Sequence, residues 1–141
     1  MILFICITDI TAVFTCDNEM EMFADGVSLG KDDDWTSSTD YVIPGNTRVL
    51  SVSGIDKGFQ YGILGSFSNG MVTNASWKCE DGEYPGWKSP DFDDSNWSAA
   101  EEVAKHGDWP WGKIPGIALT AKWIWTADNE DDKVYCRLRL Q

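Results

Sequence analysis

Any chemistry in this chain has to come from carboxylates, tryptophans and cysteines, because histidine occurs once, at His106. Nucleophilic hydrolysis needs a base beside a serine or cysteine, and the sequence holds neither a G-x-S-x-G elbow nor a glycine-rich phosphate loop closed by Lys-Ser/Thr. Paired carboxylates can cleave a glycosidic bond, but among 23 acidic residues any pairing can be drawn and the pattern singles out none. The sequence therefore predicts a protein without catalysis of its own.

The acidic residues concentrate in three loops: Asp32-Asp33-Asp34, Asp91-Phe92-Asp93-Asp94, and Asp128-Asn129-Glu130-Asp131-Asp132. Calcium gathers about six to eight such hard oxygens. Ca²⁺ is accordingly the candidate cofactor, with Asp32, Asp33, Asp128, Glu130 and Asp132 as candidate ligands. The last loop is no EF-hand, since Lys133 stands where the turn glycine belongs. The alternative for each loop is a solvated acidic turn.

Sugars stack a pyranose face on an exposed aromatic ring while Asp, Asn or Arg take the hydroxyls. Candidate ligand-binding residues are Trp35 beside Asp34, Trp87 after Pro85-Gly86, and Trp109 and Trp111, whose loop Pro110 and Gly112 stiffen. Core packing is the competing role for each. Trp77, Trp97, Trp123 and Trp125 fall in strands or a buttressed turn and read as core, with Trp123 and Trp125 on one strand face.

Cysteines stand at 6, 16, 79 and 136, and none forms a C-x-x-C pair, which argues against a zinc finger or redox motif. Cys79 and Cys136 lie in or beside strands flanked by aromatics and are expected to pair, leaving Cys6 with Cys16; the sequence does not exclude the other connectivities, or free buried thiols. Asn74-Ala75-Ser76 and Asn96-Trp97-Ser98 are N-glycosylation sequons. Sequons with an even cysteine count point to a secreted protein.

Eleven basic residues against 23 acidic ones leave a net charge of −12. Such a charge repels nucleic acid and anionic lipid, so the expected partners are carbohydrate or glycoprotein, cations, neighbouring modules or further copies of the chain. With 141 residues, 43% of them hydrophobic, one domain spanning 1–141 is expected. The apolar run 1–7 is too short to span a bilayer and reads as a strand, in a module belonging to a longer secreted precursor.

The elements that must position these residues are short strands. The β-branched and aromatic residues of 2–22, with Ala12–Cys16 leading into an alternating Glu19–Phe23, predict strands, and the Asp25-Gly26 turn a hairpin over 19–29. Tyr41–Ile43 and Thr47–Ser53 read as a strand pair, and further strands are expected over 59–67, from Val72 to Cys79, over 119–126 and over 133–140. Ser98–Lys105 reads as a helix of at most two turns. The whole predicts an all-β antiparallel sandwich or jelly roll of about eight or nine strands. Within it, Phe92 and Trp97 flank Asp93-Asp94-Ser95-Asn96, a turn pinned by aromatics.

Three segments resemble galactose-binding-domain-like β-sandwiches, the accessory sugar-binding domains of beta-galactosidases and alpha-rhamnosidases. Asp17-Asn18-Glu19 with Phe23-Ala24-Asp25-Gly26 is similar to their D-N hairpin, and Phe92-Asp93-Asp94-Ser95-Asn96-Trp97 to their F-D-D-S-x-W loop. Ala121-Lys122-Trp123-Ile124-Trp125 with Val134-Tyr135-Cys136-Arg137 is similar to their W-I-W and V-Y-x-R strands. In that group the last pair usually precedes the hairpin, whereas here it closes the chain, as in a permuted module or one cut from tandem copies. The resemblance implies an extracellular, lectin-like binding module; a structural or adhesive unit of an array is the alternative.

Overall fold

The computed structural model describes residues 8–128 and 130–140. The expected strand at 1–7, Cys6 and its pairing with Cys16 lie outside them. Among the described residues there are ten strands: β1 (Ile10–Asp17), β2 (Glu19–Ala24), β3 (Val27–Asp32), β4 (Thr39–Ile43), β5 (Val49–Ile55), β6 (Gly62–Phe67), β7 (Lys78–Glu80), β8 (Glu101–Lys105), β9 (Lys122–Trp125) and β10 (Lys133–Arg139). They form two antiparallel five-stranded sheets, ordered β4-β1-β6-β9-β8 and β3-β2-β5-β10-β7.

Alternation fixes which face each strand buries. Ala12, Phe14 and Cys16 of β1 meet Met20 and Met22 of β2, Leu50 and Val52 of β5, and Val134 and Cys136 of β10 in the core between the sheets. The Asp25-Gly26 turn forms as predicted, both residues having positive φ (47° and 86°). Asp25 is committed further, because its carboxylate accepts the N–H groups of Arg48 and Val49 at 2.9–3.2 Å and so pins the start of β5.

Each sheet's outer face is roofed by a long loop. Residues 106–121 fold back over the first sheet, packing Trp111, Ile114, Ile117 and Ala121 on Leu64 and Trp123. Residues 81–97 cover the second, packing Trp87, Trp97 and Phe92 on Phe23 and Tyr135. Most of the eight tryptophans are spent on this roofing and on the central core.

The second roof is held from beneath by Arg137, which is only 1% exposed. Its Nε donates to Asp94 Oδ2 at 2.9 Å, and its two terminal nitrogens donate to the carbonyls of Trp87, Ser89 (3.0 Å) and Phe92 (3.3 Å). Burial pushes the Asp94 carboxyl up, but Arg137, Lys78 and Arg139 together hold it below its ordinary value. Asp93 serves the turn itself, accepting the Ser95 N–H at 3.0 Å. Cys79 and Cys136 stand opposite one another on β7 and β10 and are joined as a disulfide. Cys16 is buried and has no disulfide partner among the described residues.

Three expectations are corrected. Ser98–Lys105 is not helical: β8 pairs with β9, and Val103 and Ala104 pack against the outer cluster beside a register shift. A segment too short to nucleate a helix alone takes the ladder the sheet offers, and it raises the strand count to ten. Tyr41–Ile43 and Thr47–Ser53 do not pair, because residues 44–48 carry the chain from one sheet to the other, β4 joining β1 while β5 lies between β2 and β10. Trp123 and Trp125 also part, Trp123 packing on Trp111 while Trp125 enters the main core against Gly54.

Two predictions follow from this packing. Arg137→Met leaves the Trp87 carbonyl without its donor, takes one of two donors from the Ser89 and Phe92 carbonyls, and leaves Asp94 to the more exposed Lys78 and Arg139; it should cost about 3 kcal/mol in urea unfolding, with Asp94→Leu/Arg137→Met recovering part of the loss. A Cβ on Gly65 would stand 2.3 Å from the Phe14 ring, so Gly65→Ala should lose about 1–3 kcal/mol by overpacking.

Candidate functional site

With both outer faces largely roofed, the accessible sites lie on loops. Four connections meet at one end of the sandwich: the β1–β2 turn and residues 33–38, 56–61 and 126–132. Asn18 N–H donates to Ile55 O and Asp56 N–H to Asp132 O, both at 2.8 Å, while Asn18 Oδ1 accepts the Lys57 N–H at 2.7 Å. Lys57 Nζ pairs with Glu19, which with that carboxylate's charge raises the lysine's pKa. Asp33 acts electrostatically on Lys57, and Asp56 and Asp128 act on Tyr61. The acidic loops at 32–34 and 128–132, distant in sequence, thus share one end of the molecule.

A shallow cavity of about 370 Å³ opens beside this end on the outer face of the second sheet. Glu19, Glu21, Lys31, Asp33, Ser53 and Ile55 border it, and Lys31 and Glu21 face each other across it at 3.9 Å. Two carboxylates lie deeper. Asp17, 6% exposed, accepts the Trp111 Nε1–H at 2.8 Å, and burial raises its pKa against the lowering effect of that bond. Asp32, 9% exposed, accepts the Thr15 hydroxyl at 3.2 Å and the Asp34 N–H at 3.3 Å, and burial raises it likewise.

The predicted ligand-binding residues are scattered. Trp109 is 86% exposed. Trp111 is buried, its ring stacked on Trp123 with centroids 4.4 Å apart, so neither its face nor its N–H is open to a ligand. Trp87 is buried between Phe23 and Tyr135, both edge-to-face with it. Trp35 is half-buried against the outer cluster, and exposed Asp34 is engaged by Thr36 and Ser37, which lowers its pKa. A sequence gives tryptophan spacing, but not which ring a roof consumes.

Of the predicted calcium ligands, Asp32 points into the buried network with Thr15, Asp33 borders the cavity, and Asp128 Oδ1 accepts the Glu130 N–H at 2.9 Å. Asp132 lends its carbonyl to Asp56. Among the described residues, no three carboxylate, histidine or cysteine side chains are grouped to hold a metal ion. Of the sequons, Asn96 is exposed on its turn, while Asn74 is half-buried and accepts the Ser76 N–H at 2.9 Å. Sequence reasoning missed Asn18, Asp56 and Phe59, the last of which is fully exposed; Phe59 read as the start of a strand.

Asp17→Asn keeps an acceptor for Trp111 and removes a desolvated charge. A carboxyl raised above its ordinary 3.8 favours the fold while protonated and loses that contribution as pH rises through the folded-state pKa. The melting temperature of the variant should therefore gain on wild type between pH 4 and 7, a trend that differential scanning calorimetry reads directly.

No protein-family model matches the chain. An alpha-L-rhamnosidase of Streptomyces avermitilis is 32% identical over 153 residues, an alignment covering 95% of this chain but 15% of that protein. Among solved structures, a lectin of Pleurotus ostreatus, known in apo form and in complex with GalNAc, superposes with a TM-score of 0.67 over 83% of this chain and 36% of its own, at 22% identity. The crystal structure of the S. avermitilis alpha-L-rhamnosidase complexed with L-rhamnose matches with the same TM-score at 27% identity, over 82% of this chain and 13% of its own. The lectin likeness speaks for the fold alone, whereas the rhamnosidase likeness extends to sequence along nearly the whole chain. The chain is thus a ten-stranded β-sandwich resembling a module within a much longer alpha-L-rhamnosidase.

Proposed function

We propose that this chain is a carbohydrate-binding module without catalysis of its own, acting outside the cell as one part of a longer protein. The observation that carries the reading is the alignment of nearly the whole chain with a small fraction of a rhamnosidase, a relation suited to an accessory domain. Three features of the molecule support it. The net charge of −12 favours neutral ligands over polyanions. The buried disulfide suits an oxidising compartment. Trp109 keeps an open ring on a loop whose neighbour Trp111 is locked to Trp123 and Asp17, so a stacked sugar would order little that is not already ordered.

The test is titration calorimetry of the full chain with L-rhamnose and N-acetylgalactosamine, together with a broad glycan array. Wild type should bind, and Trp109→Ala should bind about fivefold or more weakly at unchanged melting temperature. Silence on the array would refute the reading in favour of a structural or adhesive module.

A further inference from the structure

Two non-glycine residues among those described have left-handed backbone, Asp25 (φ 47°) and Phe59 (φ 63°). Asp25 is explained by its place in the Asp-Gly hairpin and by the N–H groups its carboxylate holds. Phe59 has no such explanation. Its side chain is fully exposed and contributes no packing, and an L-residue in this region is sterically disfavoured relative to glycine. An exposed phenylalanine alone would mean nothing. Here the chain carries an unfavourable backbone and an unburied ring at one position, and strain of this kind gathers at functional sites.

The loop leading to the ring is hydrogen-bonded to its neighbours. Asp56 N–H is held by Asp132 O, Lys57 N–H by Asn18 Oδ1, and Gly58 N–H by Asp56 Oδ1 at 2.8 Å; the Lys57 ammonium is held by Glu19. The backbone leading into Phe59 is therefore tied down on the neighbouring loops, so a ligand that meets the ring has little main chain left to order. The adjoining Gln60 is exposed and makes no hydrogen bond to the described residues. Asp56 and Asp128 lie close enough to raise the pKa of Tyr61. An open aromatic ring beside an exposed amide in sequence, at an end of the molecule that carries carboxylates, offers the group types that take the apolar face and the hydroxyls of a pyranose.

We infer that Phe59 is a ligand-contacting residue, the stacking platform of a sugar subsite at the loop end of the sandwich. The inference rests on the carbohydrate reading above. Its test compares wild type, Phe59→Gly and Phe59→Trp in the full chain, by calorimetric titration with L-rhamnose and N-acetylgalactosamine and by thermal melting. Phe59→Gly should melt no lower than wild type, the backbone relief offsetting glycine's entropy, while affinity falls about fivefold or more. Phe59→Trp should keep the affinity. A Phe59→Gly chain that binds like wild type overturns the role of Phe59 and leaves the carbohydrate reading standing. So does one that melts several degrees lower, since the ring would then be structural, or a Phe59→Trp chain that loses binding. Wild type that binds neither these sugars nor any glycan of the array overturns both.

Discussion

The second sheet depends on one buried guanidinium. Residues 81–97 carry almost no regular structure, so their carbonyls have no ladder to enter, and a buried carbonyl without a partner is costly. Arg137 supplies the missing donors from the strand below: planar, always charged, and able to serve Asp94 and three carbonyls at once. A lysine could not span that set. The arrangement is reciprocal, because the arginine's burial is tolerable only while the loop and Asp94 surround it. Two motifs that are 43 residues apart, the F-D-D-S-x-W turn and the V-Y-x-R strand, are thus halves of one contact.

The first sheet solves the same problem with less charge. Its roof is pinned by the Trp111–Asp17 hydrogen bond and by His106, whose ring nitrogens meet Ala118 O and the Ile114 N–H at 2.9 and 2.8 Å. The lone histidine is therefore a brace for its own loop. The roofs also explain the aromatic content, since each outer face needs large apolar side chains from an irregular loop to close it. Aromatics left over from this task, Trp109 and Phe59, are the ones whose exposure calls for another account.

Much of this was legible beforehand, and the limits have physical causes. Strand alternation and the Asp-Gly turn are local, so the sandwich and its first hairpin could be read directly. The pairing of Cys79 with Cys136 could be guessed because both sit in strands among aromatics. What could not be read was whatever depends on a partner far along the chain. Trp111 and Trp109 look equivalent in sequence and differ only because Trp123 and Asp17 lie under one of them. Glu101–Lys105 has helix-forming residues and becomes a strand because β9 offers an edge. Asp94 reads as a turn aspartate until Arg137 is found beneath it.

The distribution of charge gives the molecule a direction that composition alone conceals. Arg137, Arg139 and Lys78 converge on Asp94, and Arg48 pairs with Asp91 at 3.5 Å, so four of the eleven cations are committed under or beside the second roof, Arg48 and Arg139 at the end of the strands away from Asn18 and Asp56. At the loop end, Lys57 is tied to Glu19 and Lys31 leans on Glu21, leaving Asp33, Asp56 and Asp128 without cations of their own among the ion pairs of the described residues. Lys133, at the start of β10 opposite Ile55, is a cation at that end outside the ion pairs of the described residues, so three carboxylates face it and the local balance stays negative. A uronate or sulfated sugar approaching it would meet like charge, while a neutral or deoxy sugar would meet acceptors for its hydroxyls. If the module binds carbohydrate there, the same accounting of cations that stabilises the roof selects the ligand.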